Sequence, residues 1–145
     1  MIVGGKSDDI SIEKMIRNSG LSERVIITGV VSDAIRYASL FDVAVLTSRW
    51  EGFGLVLPEY MIAQKPVVAF DVDAVSEIVL DGKTGILVDK EDCEGMADAI
   101  VELYLNKEKA HMLAQAGYNR AKKEFDMARV IAEHNKMFIN LIMVG

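Results

Sequence analysis

Glu51 and Glu59, eight positions apart, are the residues whose types and spacing best suit chemistry. They lie in the stretch Ser48-Arg49-Trp50-Glu51-Gly52-Phe53-Gly54-Leu55-Val56-Leu57-Pro58-Glu59, which follows an apolar run and opens a helix. Gly52 and Gly54 let a ligand approach the backbone closely. A helix starting after them presents N–H groups and partial positive charge, which suits a phosphate. Carboxylates flanking that start accept hydrogen bonds from sugar hydroxyls. The same residues also read as an ordinary strand-to-helix connection, with Glu59 complementing the helix dipole and Glu51 solvated. Spacing alone does not decide, because Glu94 and Glu102 repeat it inside a helical stretch with a solvent-facing pattern.

Elements that would position this loop follow from periodicity. Ile2-Val3, Val25-Ile26-Ile27, Val43-Ala44-Val45-Leu46, Val67-Val68-Ala69-Phe70 and Ile86-Leu87-Val88 are rich in β-branched residues without polar alternation. They read as strands buried on both faces, hence parallel. Helical patterns separate them. Ile12, Met15 and Ile16 share a face ended by Gly20. Ser32 or Asp33 caps a short helix with Ile35 and Ala38. Pro58 sits in the first turn of a helix reaching about Ala63, and Asp81-Gly82 marks a turn. From Asp92 onward the pattern is helical, with stripes at Met96, Ala99, Ile100 and Leu103, then Leu113, Ala116 and Ala121, then Val130, His134, Met137, Phe138 and Leu141. The fold class is α/β: a Rossmann-like parallel sheet of about five strands flanked by helices, with an all-helical C-terminal third. Ligands of such sheets bind outside the carboxyl ends of the strands, where the Glu51 loop lies.

Composition narrows the function classes. The 145 residues suit one domain spanning 1–145, and 51% hydrophobic residues suffice for a core. Sixteen basic against 22 acidic residues give a net charge of −6, which argues against a general nucleic-acid binder. The single cysteine, Cys93, rules out an intrachain disulfide framework. His111 and His134 form no cluster with it, so no metal site is expected. No apolar run is long enough for a transmembrane segment, and the N-terminus shows no apolar leader region. The expected setting is cytoplasmic. Gly5-Lys6-Ser7 matches only the end of a G-x-x-x-x-G-K-S phosphate loop, and three residues do not make one. Trp50 reads equally as a rim of the site or as packing.

The order of segments resembles a known family. Glu51 to Glu59, then Lys65-Pro66-Val67-Val68-Ala69, then Asp81-Gly82-Lys83-Thr84-Gly85-Ile86-Leu87-Val88 resemble the C-terminal, donor-binding half of GT-B glycosyltransferases. The best match is to the retaining glycosyltransferase family 4. Thr28-Gly29-Val30-Val31-Ser32-Asp33 and Asp42 to Ser48 resemble its segments at those places, and the likeness runs from Ile2 to about Phe138. It implies transfer of a sugar from a nucleotide diphosphate sugar to an acceptor, without cofactor or metal, in polysaccharide-type biosynthesis. Glu51 is then the catalytic, sugar-facing carboxylate. Gly52, Phe53, Gly54, Leu55 and Val56 present donor-binding backbone, and Glu59 holds the ribose hydroxyls. The backbone at Val30 and Val31 meets the base.

Departures from the family shape further expectations. Asp73 and Ala74 stand where the resemblance has glycines, and Gln64 where it has a small residue. Ile2-Val3 resembles the second strand of this half. The family's first strand and helix, its diphosphate-clamping Arg and Lys, and the other Rossmann half have no counterpart in these residues. The chain is therefore expected to need that half or a partner chain, to self-associate, and to be inactive alone. The alternative is a nucleotide-binding module or interaction subunit. The intact enzyme is expected to be cytoplasmic or peripheral to a membrane.

Overall fold

The structure, a computed structural model, describes residues 1–4 and 10–143. It divides into two compact units, Met1–Phe41 and Asp42–Gly145. In the first, helix α1 spans Ile10–Asn18 and α2 spans Ala34–Ala38. Gly20, at φ 67°, ends α1 as expected. The Leu21 N–H donates to the Ile16 carbonyl at 3.0 Å and the Gly20 N–H to the Arg17 carbonyl at 3.1 Å, so two otherwise orphaned carbonyls are satisfied.

The expectation of about five strands is corrected here. Ile2-Val3 and Val25-Ile26-Ile27 form only single bridging pairs, Ile2 with Ile27 and Gly4 with Gly29. The Ile2 N–H donates to the Ile26 carbonyl at 2.7 Å, the Thr28 N–H to the Ile2 carbonyl at 3.0 Å, and the Gly4 N–H to the Gly29 carbonyl at 3.1 Å. Gly4 and Gly29 adopt φ 93° and 66°, outside the extended region, and among the described residues no continuous ladder joins the two segments. Gly5-Lys6-Ser7 lies outside the described residues. The α1 face is not a core face either: Met15 is 68% exposed, and Ala38 is the one buried hydrophobic residue described in this unit. Asp33 occupies the N-cap of α2 without capping it through its side chain, and instead pairs with Arg36 at 2.6 Å.

The second unit carries strands β1 (Ala44–Leu46), β2 (Val67–Phe70) and β3 (Ile86–Val88), parallel and in that order across the sheet. Ala44 pairs with Val67, and Val68 with Ile86. Parallel neighbours need crossovers. Helix α3 (Val56–Ile62) lies between β1 and β2 in the chain, and α4 (Val75–Ile78) between β2 and β3. All four residues of β2 are buried, whereas β1 and β3 are partly exposed. Among the described strands, burial of every residue holds for the central one alone.

Three further helices make the C-terminal third: α5 (Cys93–Leu105), α6 (Lys107–Glu124) and α7 (Met127–Met143). Met96, Ala99 and Leu103 of α5 are buried, and α5 packs on β2, β3 and α6. Helix α6 buries Ala110, Leu113, Ala114, Gly117 and Ala121, and packs on α3. A Cβ on Gly117 would come within 3.2 Å of the Met61 side chain and the Thr84 carbonyl, so glycine permits this approach. On α7, Val130 is half-buried, whereas His134, Met137 and Phe138 are exposed, so the expected stripe is not a core stripe. Among the described residues, no helix is long and apolar enough to cross a membrane.

Helix α3 ends unusually. The Lys65 N–H donates to the Tyr60 carbonyl at 3.0 Å and the Gln64 N–H to the Met61 carbonyl at 2.9 Å. That geometry puts Gln64 at φ 55°, a left-handed position that favours glycine. The left-handed region costs a non-glycine residue roughly 1–2 kcal/mol, and glycine returns part of that gain through chain entropy. Gln64→Gly is therefore expected to stabilise the chain by about 0.5–1 kcal/mol. Urea denaturation with an unchanged slope checks this, and a lower midpoint would contradict it.

Candidate functional site

Parallel order puts the carboxyl ends of β1, β2 and β3 on one edge, and three loops leave that edge. The loop after β1 carries Glu51 to Leu55, the loop after β2 carries Asp71 to Ala74, and the loop after β3 carries Asp89 to Asp92. They are tied together. The Glu51 N–H donates to Oδ2 of Asp73 at 3.0 Å. The Arg49 guanidinium pairs with the Glu91 carboxylate at 2.8 Å. The Asp71 N–H donates to the Val88 carbonyl at 2.7 Å.

Within the first loop, Gly54 has φ 77° while Gly52 has no such requirement. A Cβ on Gly54 would lie 3.2 Å from Leu57 Cδ1 and 3.9 Å from Glu51 Cγ, whereas one on Gly52 would meet open space. Glu51 is half-buried beside Gly54, which is buried. The Leu57 N–H donates to the Gly54 carbonyl at 2.9 Å, setting the first turn of α3. Leu55 stands at the N-cap, where an apolar side chain cannot cap the helix, and no side-chain cap is made. Val56 begins α3, and Pro58 lies in its first turn as expected.

Glu59 follows in that same first turn and is exposed. Its charge is felt nearby: burial first, then the Glu59 carboxylate, push the Tyr60 phenol above its ordinary pKa. Glu51 and Glu59 thus flank the start of one helix. The control pair does not: Glu94 and Glu102 both lie on α5, and Glu102 pairs with Lys109 at 2.6 Å.

Phe53 is held from an unexpected quarter. Its ring meets that of Phe125 edge-on, centroids 5.9 Å apart. The Arg120 guanidinium lies over Phe125, and donates to the Ile78 carbonyl at 2.9 Å and the Glu77 carbonyl at 2.7 Å. Arg120 thereby satisfies carbonyls at the end of α4 from a helix far along the chain. Arg120, Phe125 and Glu91 are supports that the sequence reading did not single out. The one local signal was a polar Arg120 beside the buried Ala121.

Val30 and Val31 lie in the first unit, Val30 82% exposed and Val31 half-buried. His111, His134 and Cys93 are exposed, and a ring nitrogen of His134 lies 2.9 Å from the Val130 carbonyl oxygen of its own helix. Trp50 is 77% exposed, which removes its packing reading. Among the described residues, no group of three or more His, Cys, Asp or Glu side chains is arranged to hold a metal ion.

A mixed α/β domain with a parallel sheet flanked by helices and a helical C-terminal stretch is of the GT-B glycosyltransferase class. The chain belongs to the family described as glycosyl transferases group 1, which matches residues 1–106. It is 39% identical over 106 residues to alpha-D-kanosaminyltransferase of Streptomyces kanamyceticus, covering 72% of this chain and 28% of that protein. Phosphatidyl-myo-inositol mannosyltransferase of Mycobacterium leprae is 30% identical over 148 residues, covering 100% of this chain and 39% of that protein. The chain thus spans less than two-fifths of either relative's length. Among solved structures, sucrose-phosphate synthase from Thermosynechococcus elongatus matches with a TM-score of 0.90 at 26% identity, over 99% of this chain and 39% of that one. HepE of Anabaena in complex with UDP matches with a TM-score of 0.89 at 26% identity, over 95% and 40%.

The two loop glycines make a paired test. Gly54→Ala is expected to cost about 1–2 kcal/mol, because it forces a side chain into a left-handed position against Leu57. Gly52→Ala is expected to change stability little. Urea denaturation of both reads the difference, and equal midpoints would remove Gly54 from its structural role.

Proposed function

We propose that this chain is the donor-binding domain of a retaining, family-4-type glycosyltransferase that takes its sugar from a nucleotide diphosphate sugar. The observation that carries the reading is the Glu51–Glu59 stretch at the carboxyl edge of the parallel sheet, spanning the start of α3. The match to HepE, whose structure holds UDP, supports a nucleotide ligand. Glu59 takes the two ribose hydroxyls. Glu51 is the catalytic, sugar-facing carboxylate. Backbone N–H groups from Gly52 through Val56 face the sugar and diphosphate, and those at Val30 and Val31 face the base.

Charge develops on the diphosphate as the glycosidic bond breaks, and fixed N–H dipoles stabilise it without reorganising. No cofactor or metal enters this scheme. A helix terminus supplies only ~0.3–1 kcal/mol per exposed interaction, against at least ~8 kcal/mol for typical catalysis. The second reading is a catalytically inactive nucleotide-binding module, or an interaction subunit that works with a partner half. In the first reading the intact enzyme is cytoplasmic, peripheral to a membrane, and makes polysaccharide-type products. Exposed Met15, Ile26 and Leu40, and exposed Met137, Phe138 and Ile142, favour self-association, which light scattering reads.

Calorimetry with UDP, GDP and ADP and their glucose conjugates tests the assignment. Glu59→Ala is expected to weaken nucleoside diphosphate binding about ten- to a hundredfold, the loss of a charged hydrogen bond. Glu51→Gln is expected to weaken the nucleotide sugar more than the bare nucleotide, and Glu94→Gln to affect neither. Equal affinity of Glu59→Ala and parent would sink the ribose role. Equal weakening of both ligands by Glu51→Gln would sink the division of labour.

A further inference from the structure

The loop after β1 is fastened at three points, each to a different part of the second unit. Arg49 pairs with Glu91, and Phe53 meets Phe125. Between them the Glu51 N–H donates to the Asp73 carboxylate at 3.0 Å, across 22 positions of sequence. Of the three, only this bond acts on the backbone of the residue read as facing the sugar. Arg49 and Phe53 lie on either side of Glu51 and make their contacts through side chains, not through the Glu51 peptide.

Asp73 achieves this from a costly conformation. Its φ is 42°, left-handed for a residue with a side chain, and Ala74 after it is the N-cap of α4. Glycine would relax that backbone but bring no acceptor. Aspartate is among the few residues that tolerate the left-handed region, and its short carboxylate places the acceptor close to its own turn. Asp73 is exposed, so burial does not explain its presence there. A solvent-facing, strained residue whose side chain reaches another loop is better explained by what it holds than by packing.

We infer that Asp73 is a positioning residue for sugar recognition: it fixes the Glu51 peptide so that the Glu51 side chain leaves its loop in one direction. This rests on the donor-site reading above. Because Asp73 acts on Glu51 and not on Glu59, it governs affinity for the sugar-bearing donor and not for the bare nucleotide. Its role is separable from folding, since removing it also removes backbone strain.

Two substitutions in the full 145-residue chain test this. Asp73→Gly deletes the acceptor and relaxes φ. Asp73→Asn keeps a carbonyl acceptor and tolerates the left-handed region. With whichever of the UDP, GDP and ADP pairs the parent binds, Asp73→Gly is expected to weaken the nucleotide glucose about tenfold, the size of one charge-assisted hydrogen bond, and to leave the nucleoside diphosphate within about twofold. Its thermal midpoint is expected to be equal or higher, and Asp73→Asn is expected to restore most of the affinity. Hydrogen exchange of the Glu51 amide gives a reading that needs no ligand: faster in Asp73→Gly, near the parent in Asp73→Asn. Unchanged donor affinity in Asp73→Gly, or equal weakening of both ligands, overturns the inference. If the parent binds no nucleotide, the donor-site reading fails and with it the sugar role; amide exchange then still shows whether Asp73 anchors the loop, an unchanged rate overturning that as well.

Discussion

Parallel pairing on both sides of β2 decides where everything else can be. Parallel strands run in one direction, so the loops after β1, β2 and β3 all leave one edge. At the amino ends, the approach of β3 to β2 depends on glycine: a Cβ on Gly85 would lie 2.6 Å from Val79 Cγ1 and 2.8 Å from the Val67 carbonyl. The turn before β3 is held by side chains as well as backbone. The buried Thr84 hydroxyl accepts from the Leu80 N–H at 2.8 Å, and Oδ1 of Asp81 accepts from the Leu87 N–H at 2.9 Å. Without that turn β3 could not keep its register with β2, and Glu91 would not reach Arg49.

The helical third supports the site from outside the sheet. Arg120 donates to two carbonyls at the end of α4 and faces the Phe125 ring, which meets Phe53. The bond to Ile78 is partly buried and the one to Glu77 exposed; a charged donor to a partly buried carbonyl is worth more than a neutral one, and leaving that carbonyl unpaired carries its own cost. Position 53 is therefore tied through Phe125 to α6, and α6 in turn packs on α3, the helix that begins after the loop. Loop, helix and support form one closed circuit of contacts within the second unit.

Sequence reading recovered what local pattern controls. Val67 to Phe70 and Ile86 to Val88 are strands with the expected bounds, and β1 lacks only Val43. Gly20 and Pro58 sit where their backbone preferences place them. The readings that failed needed context. Ile2-Val3 and Val25-Ile26-Ile27 have strand composition, yet among the described residues they are joined only by isolated bridges, with Gly4 and Gly29 in left-handed geometry at one of them. At the candidate site, the placement of Glu51, Gly54 and Glu59 around the start of α3 was legible, because a loop glycine and a proline in the first turn mark it locally. The bond from Glu51 to Asp73 was not, since it spans two loops that only the parallel sheet brings together. Asp73 was visible as a departure from the family's glycines. That it serves as an acceptor needed its φ and its partner. Arg120, 42 positions from Ile78, had no local signature of its partners at all.

The contrast between the two glutamates has a physical reason. An exposed carboxylate is well hydrated, and its interactions with other exposed groups are worth little until water is excluded. Glu59 is exposed on a helix turn whose backbone is already fixed; in the proposed site, an arriving ligand that excluded water would strengthen its hydrogen bonds. Glu51 sits in a loop, where the peptide itself has freedom that ligand binding would have to remove. Ordering such a residue beforehand lowers that cost. A hydrogen bond to its backbone N–H does so without consuming the side-chain oxygens, which stay available as acceptors for a sugar. The loop residue, not the helix residue, is the one that needs a partner across the sheet edge, and it is the Glu51 peptide that the structure ties down.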